Sequence, residues 1–218
     1  TLMRTDPRPA ILAAAFSQLD EGRAVSLDSV ARSVGLTKPG VMYHFPTKEA
    51  LMLALVDSVL DRWEEGLVAR LGSSPEGADP AARIGAYVDW SLSGGFDETD
   101  LVAMSDPKLR RSLTQRWAER LAPWLVVPDD VAPDERTRLL AARLLADGGW
   151  LAEASNVSPP TPGDLAQLRA LNIDGSVRHV NGILPMAGMA KRAGYKRLFV
   201  PASDAPEAAL VEGMSVYP

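Results

Sequence analysis

Thr37, Lys38, Tyr43, His44, Thr47 and Lys48 crowd six side chains with hydrogen-bond donors into the stretch TKPGVMYHFPTK. Lysine is a point cation with three N–H donors, and hydroxyl and imidazole groups add shorter-range donors. Gly40 leaves the backbone bare among them, so a phosphate or a base edge can come close. Between Arg23 and Lys48 there are four basic residues, Arg23, Arg32, Lys38 and Lys48, against one acid, Asp28. Such a local surplus of donors and positive charge suits the phosphates and base edges of nucleic acid.

The elements that hold these residues can be read from caps and periodicity. Pro9 to Leu19 carry Leu12, Phe16 and Leu19 on one helical face, and Glu21-Gly22 end that helix. Ser26 caps a second helix whose Leu27, Val30, Ala31 and Val34 recur at i, i+3, i+4 and i+7. Gly35 closes it in the left-handed position. Thr37 is a fresh cap, and Lys38 and Pro39 occupy the first turn, where proline costs little because its missing N–H has no helical partner. Pro39 therefore starts a short helix, Lys38 to His44, which Pro46 ends. Thr47 caps a fourth, long helix to about Leu71, lined by Leu51, Leu55, Val59 and Trp63 with Met52, Val56 and Leu60 beside them. Two helices joined by a tight turn, the second rich in donors, form a helix-turn-helix, whose second helix enters the DNA major groove N-terminus first. The helix N-termini at Thr37 and Thr47 suit phosphate.

Several of these residues also admit a purely structural role. Lys38 and Lys48 can be solvated charges, although spacing and caps favour DNA. His44 suits either a carbonyl at the helix end or a phosphate. Tyr43 is expected to lay its ring on the small core with its hydroxyl outward. Val41 and Phe45 are expected to pack, with a thymine methyl as the alternative role for Val41.

The whole chain contributes mainly exclusions. It has 218 residues, 46% hydrophobic and 23% charged, with net charge −5, a balance that suits a soluble globular protein and places any nucleic-acid binding on a local patch. It has no cysteine, which excludes disulfides, thiolate catalysis and cysteine metal sites and fits a cytoplasmic location. No apolar run reaches the ~20 residues of a membrane span, and no signal-peptide pattern opens the sequence. With only His44 and His179, neither beside an acid at a useful spacing, no catalytic or metal-binding residue is expected, and no cofactor.

The run AAAFSQLDEGRAVSLDSVARSVGLTKPGVMYHFPTKEALMLAL resembles the N-terminal domain of the TetR family of transcriptional regulators. It departs from the family at Pro39, more often glycine, and at Met42, often tyrosine. The resemblance implies Thr37, Lys38, Tyr43, His44 and Lys48 at operator DNA. It further implies a homodimer and a small-molecule pocket in a helical C-terminal domain.

Beyond Leu71 the expected helices run from Asp79-Pro80 to about Leu92, Glu98 to Met104, Asp106-Pro107 to about Leu125, Asp134 to Ser155, and from Asp164 through Leu168. Tyr87, Trp90, Met104, Trp117 and Trp150 can together line an apolar cavity between them for a small apolar or aromatic ligand, with Arg116 or Asp147 as an anchor. Singly, each reads as core. The face around Leu140, Leu144 and Gly148, with Gly148-Gly149 allowing close approach, is the expected dimer surface that family position implies.

After Leu171 the pattern changes to ββαβαβ, with a hairpin turn at Asp174-Gly175 and strands at Leu198 to Val200 and Ser215 to Tyr217. The segment from Leu171 to Pro218, through DGSVR and SDAPEAALVEG, resembles part of the Lon-protease-like domain of ComM/YifB magnesium-chelatase-type ATPases. It has no phosphate-binding GxxxxGK[ST] loop, so no ATPase activity is implied. The expected organisation is a helix-turn-helix domain at 1-50, a helical ligand and dimerisation domain at 51-170, and an α/β fragment at 171-218. The fold is all-α with that appendage. The leading function is a ligand-responsive repressor acting on a palindromic operator. The alternative is an inactive fragment of an ATPase-associated domain in a fused or misassembled chain.

Overall fold

The structure is a computed structural model that describes residues 6–170, 183–200 and 204–217. The chain divides into two compact units, residues 1–161 and 162–218. The first is wholly helical and the second is small and mixed.

In the first unit, α1 (Arg8–Asp20), α2 (Leu27–Ser33) and α3 (Lys38–His44) form a three-helix head. The fully buried face of α1 is Ile11, Ala15 and Gln18, not the expected Leu12, Phe16 and Leu19, which are only half-buried. A glutamine is buried there because its amide is satisfied. Gln18 Nε2 donates to Ser33 Oγ at 3.2 Å, and Ser29 Oγ donates to Gln18 Oε1 at 2.8 Å. Each such bond contributes about 1 kcal/mol, and losing one partner in the interior costs more. Ser29 also completes a capping box with Ser26, so one serine ties the start of α2 to α1. Gly35, at φ 68°, makes the turn into α3, a backbone conformation that a side chain would strain.

The long helix α4 (Lys48–Leu71) buries every residue expected of it, and Leu67 in addition. Around it pack α5 (Pro80–Ser91), a 3-10 helix (Glu98–Met104), α6 (Arg110–Leu125) and, against α5, α7 (Pro133–Ala154). Trp63 of α4, completely buried, is the hub. Its ring meets Tyr87, Trp90, Phe96, Trp117 and Trp150 at centroid distances of 5.2–6.2 Å. Its Nε1 donates to Asp100 at 2.9 Å, and the same buried carboxylate accepts from Arg62 and from the Asp97 backbone N–H. Arg120 of α6 reaches Asp57, Asp61 and Glu64 on α4, and the Glu64 carboxylate, first among them, raises its guanidinium pKa further above its ordinary value.

One helix starts later than expected. Asp106 accepts from the backbone N–H groups of Lys108 and Leu109, but the residues between form a turn, and α6 begins only at Arg110. At its far end Arg83 of α5 donates to the carbonyls of Pro123 and Val126, covering acceptors that the helix end leaves open.

In the second unit, α8 (Pro162–Ala170) extends past the expected end at Leu168. After it come α9 (Ile183–Arg192), β1 (Arg197–Phe199), α10 (Ala205–Ala208) and β2 (Ser215–Tyr217). The strands pair in parallel, Leu198 opposite Val216, as a crossover through α10 requires. Ile183, Val200 and Ala208 form its small core with Leu198, Ala205 and Val216 around them. Leu184 and Leu210 are exposed. The Asp174-Gly175 hairpin lies outside the described residues.

Candidate nucleic-acid interface and cavity

The head builds one exposed helical face. Val41 and Phe45, one turn apart on α3, point into the core, with Val41 completely buried. That corrects the reading of Val41 at DNA: a residue without accessible surface reads no base. The opposite side of α3 carries Lys38, Pro39, Met42 and Tyr43, all exposed. Tyr43 is 84% exposed, so its ring does not lie on the core as expected. It stands edge-on to the His44 ring instead, with centroids 5.1 Å apart. Met42, which the sequence marks only as a departure from a family pattern, belongs to this face. Its position next to buried Val41 and three residues before buried Phe45 could have placed it there.

The two threonines act as caps. Thr37 Oγ1 accepts from Gly40 N at 3.2 Å, and Thr47 Oγ1 accepts from Ala50 N at 3.0 Å. A Cβ on residue 40 would sit 3.3 Å from Thr37 Oγ1, so Gly40 also keeps the cap unobstructed.

The basic residues divide by pairing. Arg23 pairs with Glu21 at 2.7 Å and Arg32 with Asp28 at 3.5 Å. Lys48 pairs with Asp106, the buried carboxylate just before α6, at 2.5 Å. The hydrogen bond from Lys48 holds the Asp106 carboxyl below the usual carboxylate range. Of the four basic residues in the patch, Lys38 alone makes no ion pair among the described residues.

The second feature is a cavity of about 630 Å³ between α5, α6 and α7. Tyr87, Met104, Trp117 and Trp150 line it, as expected, with Leu121, Leu125 and Leu140. Trp90 does not. Its indole lies against α4 at Gly66, where an added Cβ would come within 2.4 Å of the ring, and Arg70 sits 4.8 Å from its centroid. Of the two anchors considered, Asp147 lines the cavity, whereas Arg116 faces Asp57. Tyr87 donates to Asp147 Oδ1 at 2.6 Å, and Arg143 Nε donates to Oδ2 at 3.3 Å. Burial, and then the Asp147 charge, push the Tyr87 hydroxyl well above its ordinary pKa, so it remains a donor. The sequence signal for Arg143 is its i, i+4 spacing to Asp147, but nothing in the sequence marks which face of α7 meets a cavity.

On α7, Leu140, Leu144, Leu145 and Leu151 are exposed by 42–57%. Gly148 opens to free space, whereas a Cβ on Gly149 would meet Leu92, which follows α5, at 2.4 Å. The close approach read at Gly148-Gly149 is thus made by Gly149 within the chain. Among the described residues no helix is long and apolar enough to cross a membrane, and no cluster of His, Asp and Glu could hold a metal ion.

Residues 11–55 match the family model described as bacterial regulatory proteins, tetR family. The chain is 26% identical over 135 residues to the HTH-type transcriptional regulator EthR of Mycolicibacterium smegmatis, covering 61% of this chain and 62% of that protein. EthR of Mycobacterium tuberculosis is 26% identical over 144 residues, with 64% and 66% covered. The chain thus spans just under two thirds of these regulators. RutR of Escherichia coli is 36% identical over 93 residues, 41% of this chain and 42% of its own. A 49-residue stretch is 49% identical to an uncharacterised protein of Mycobacterium bovis, 22% of this chain and 10% of that protein. The matched residues are the head formed by α1 to α3 and the start of α4.

Proposed function

We propose that this chain is a ligand-responsive transcriptional repressor that binds a palindromic operator as a homodimer. The observation that carries the reading is the division of α3 into a buried side, Val41 and Phe45, and an exposed side, Lys38, Met42 and Tyr43, which is the requirement for a helix that enters the major groove. The match of residues 11–55 to the tetR family and the regulators named above support it. Thr37, Lys38, Gly40, Tyr43, His44, Thr47 and Lys48 lie at the phosphates, and Met42 meets base edges. Two copies pair through the exposed α7 leucines. The cavity between α5, α6 and α7 is the effector site for a small apolar or aromatic molecule.

The C-terminal unit is a passenger, a piece of a Lon-like α/β domain without catalytic activity. Its parallel β1–α10–β2 crossover over one small core supports that assignment.

The test is binding of the purified chain to duplex DNA from its own locus at several salt concentrations. Affinity should fall linearly in log–log form as salt rises, because counterions are released from each contacted phosphate. Binding that is absent, or that ignores salt, removes the reading.

A further inference from the structure

The α5–α6–α7 cavity is apolar over most of its wall and polar in one corner, and the polar groups there are unequally satisfied. Asp147 has both oxygens engaged, by Tyr87 and by Arg143 Nε. The Tyr87 proton is spent on Asp147. Arg136 gives only Nη1, to the carbonyls of Val127 and Pro128 and to Asp129, which offsets its charge. Arg143 uses only Nε, and among the described residues its two terminal nitrogens have no partner. Trp150, in the same wall, has a buried Nε1–H that makes no hydrogen bond of normal length and lies beside the Tyr87 hydroxyl. Most of the unfilled capacity is therefore donor. The charged lining residues, Arg136 and Arg143 against Asp147, leave one positive charge in excess.

We infer that the cavity takes an amphipathic carboxylic acid, with its apolar or aromatic body against Trp117, Trp150, Leu121 and Leu125 and its carboxylate on the free fork of Arg143. The inference rests on the cavity being the effector site proposed above. A planar carboxylate matches the guanidinium edge with two parallel hydrogen bonds, and a charge-assisted pair is stronger than a neutral one. Asp147 is then a positioning residue: it grips Nε and turns the rest of the guanidinium toward the ligand. A cationic ligand would meet Arg136 and Arg143 at close range and an Asp147 already occupied. A neutral ligand would leave the Arg143 donors unmatched.

The experiment titrates the full chain by calorimetry with three probes that share one body: 4-phenylbutyrate, 4-phenylbutanol and 4-phenylbutylamine. The carboxylate should bind about tenfold or more tighter than the alcohol, and the amine weakest. Arg143→Gln should bring the carboxylate down to the level of the alcohol while leaving the alcohol unchanged, which separates loss of the anchor from loss of the fold. Equal binding of all three probes overturns the inference and leaves an apolar effector cavity. Tightest binding by the amine overturns it in favour of Asp147 as the anchor. No binding by any probe at millimolar concentration removes both the inference and the effector site. Carboxylate binding that R143Q abolishes, without any change in DNA affinity, upholds the ligand class and removes the effector role.

Discussion

Lys48 Nζ lies 2.5 Å from Asp106 Oδ2, joining the first residue of α4 to the turn before α6 across 58 residues of sequence. The three-helix head and the helical body are thus tied at the point where α4 leaves the head. Asp106 is buried and Lys48 is over a third exposed, so the pair is worth less than an interior one. Asp106→Asn should cost about 1 kcal/mol of stability. The sign of its pH dependence follows from the lowered Asp106 carboxyl. The contribution is complete above the ordinary carboxylate value of about 4 and is lost as pH falls below it through the depressed one. Urea midpoints should therefore separate wild type from D106N at pH 7 and converge toward pH 2; a gap that stays constant refutes the assignment.

Lys38 and Lys48 should behave differently when removed. Lys38 has no ion pair among the described residues, so Lys38→Ala should weaken operator binding with little change in melting temperature. The slope of log affinity against log salt should shrink by about 0.9 for each phosphate that is no longer neutralised. Lys48→Ala should weaken DNA binding and also lower the melting temperature, because it strands the Asp106 carboxylate. Fluorescence anisotropy on an operator duplex, with calorimetric melting of the same samples, distinguishes the two. Equal decreases in melting temperature would place Lys38 in a structural role.

Gly66→Ala tests the packing of α5 on α4. Alanine is the better helix former by about 1 kcal/mol, which alone predicts stabilisation. The new Cβ, however, would stand 2.4 Å from two atoms of the Trp90 ring, a rigid group that cannot fold out of the way. Overpacking of this kind costs about 1–3 kcal/mol, and here it should exceed the helix gain. A urea midpoint below wild type is expected; one above it would mean that Trp90 moves freely.

Leu144 is 57% exposed in the middle of α7, with Leu140 and Leu151 exposed on the same helix. Leu144→Glu should convert a dimer into a monomer, read as a halved mass by light scattering at tens of micromolar, because a buried unpaired carboxylate is costly at an apolar interface. A wild-type chain that is itself monomeric would remove the α7 dimer.

The helix boundaries were legible because short-range chemistry writes them. Thr37, Thr47 and Asp79 each accept the backbone N–H three residues on, Ser26 does the same, and Gly35 turns the chain in the left-handed region. The apolar period of α4 named its core residues for the same reason. What stayed hidden depends on partners far along the chain. Lys48 read as free because Asp106 is 58 residues away, and Trp90 read as cavity lining because Gly66 gives no sign of what it admits. Gln18 is buried because Ser29 and Ser33, on the next helix, supply its bonds. Tyr43 looked like a core aromatic on a helix too short to show which side faces inward. Within the cavity, aromatic content pointed to the region, but only geometry separates the spent proton of Tyr87 from the unused fork of Arg143.

The ring of aromatics around Trp63 also governs what optical spectroscopy can see. All five tryptophans, Trp63, Trp90, Trp117, Trp124 and Trp150, lie between residues 63 and 150. Four of them stand within 6.2 Å, centroid to centroid, of another indole, close enough for excitation to migrate before it is emitted. Intrinsic emission from this chain is thus dominated by a coupled signal from the middle of the first unit. The three-helix head and the second unit carry no indole and are dark at the red edge of excitation. A fluorescence melt can register a single transition while the head has already frayed, or while the second unit has never folded. Engineering one tryptophan at exposed Met42, or at Tyr217 on β2, would give each silent region a voice of its own.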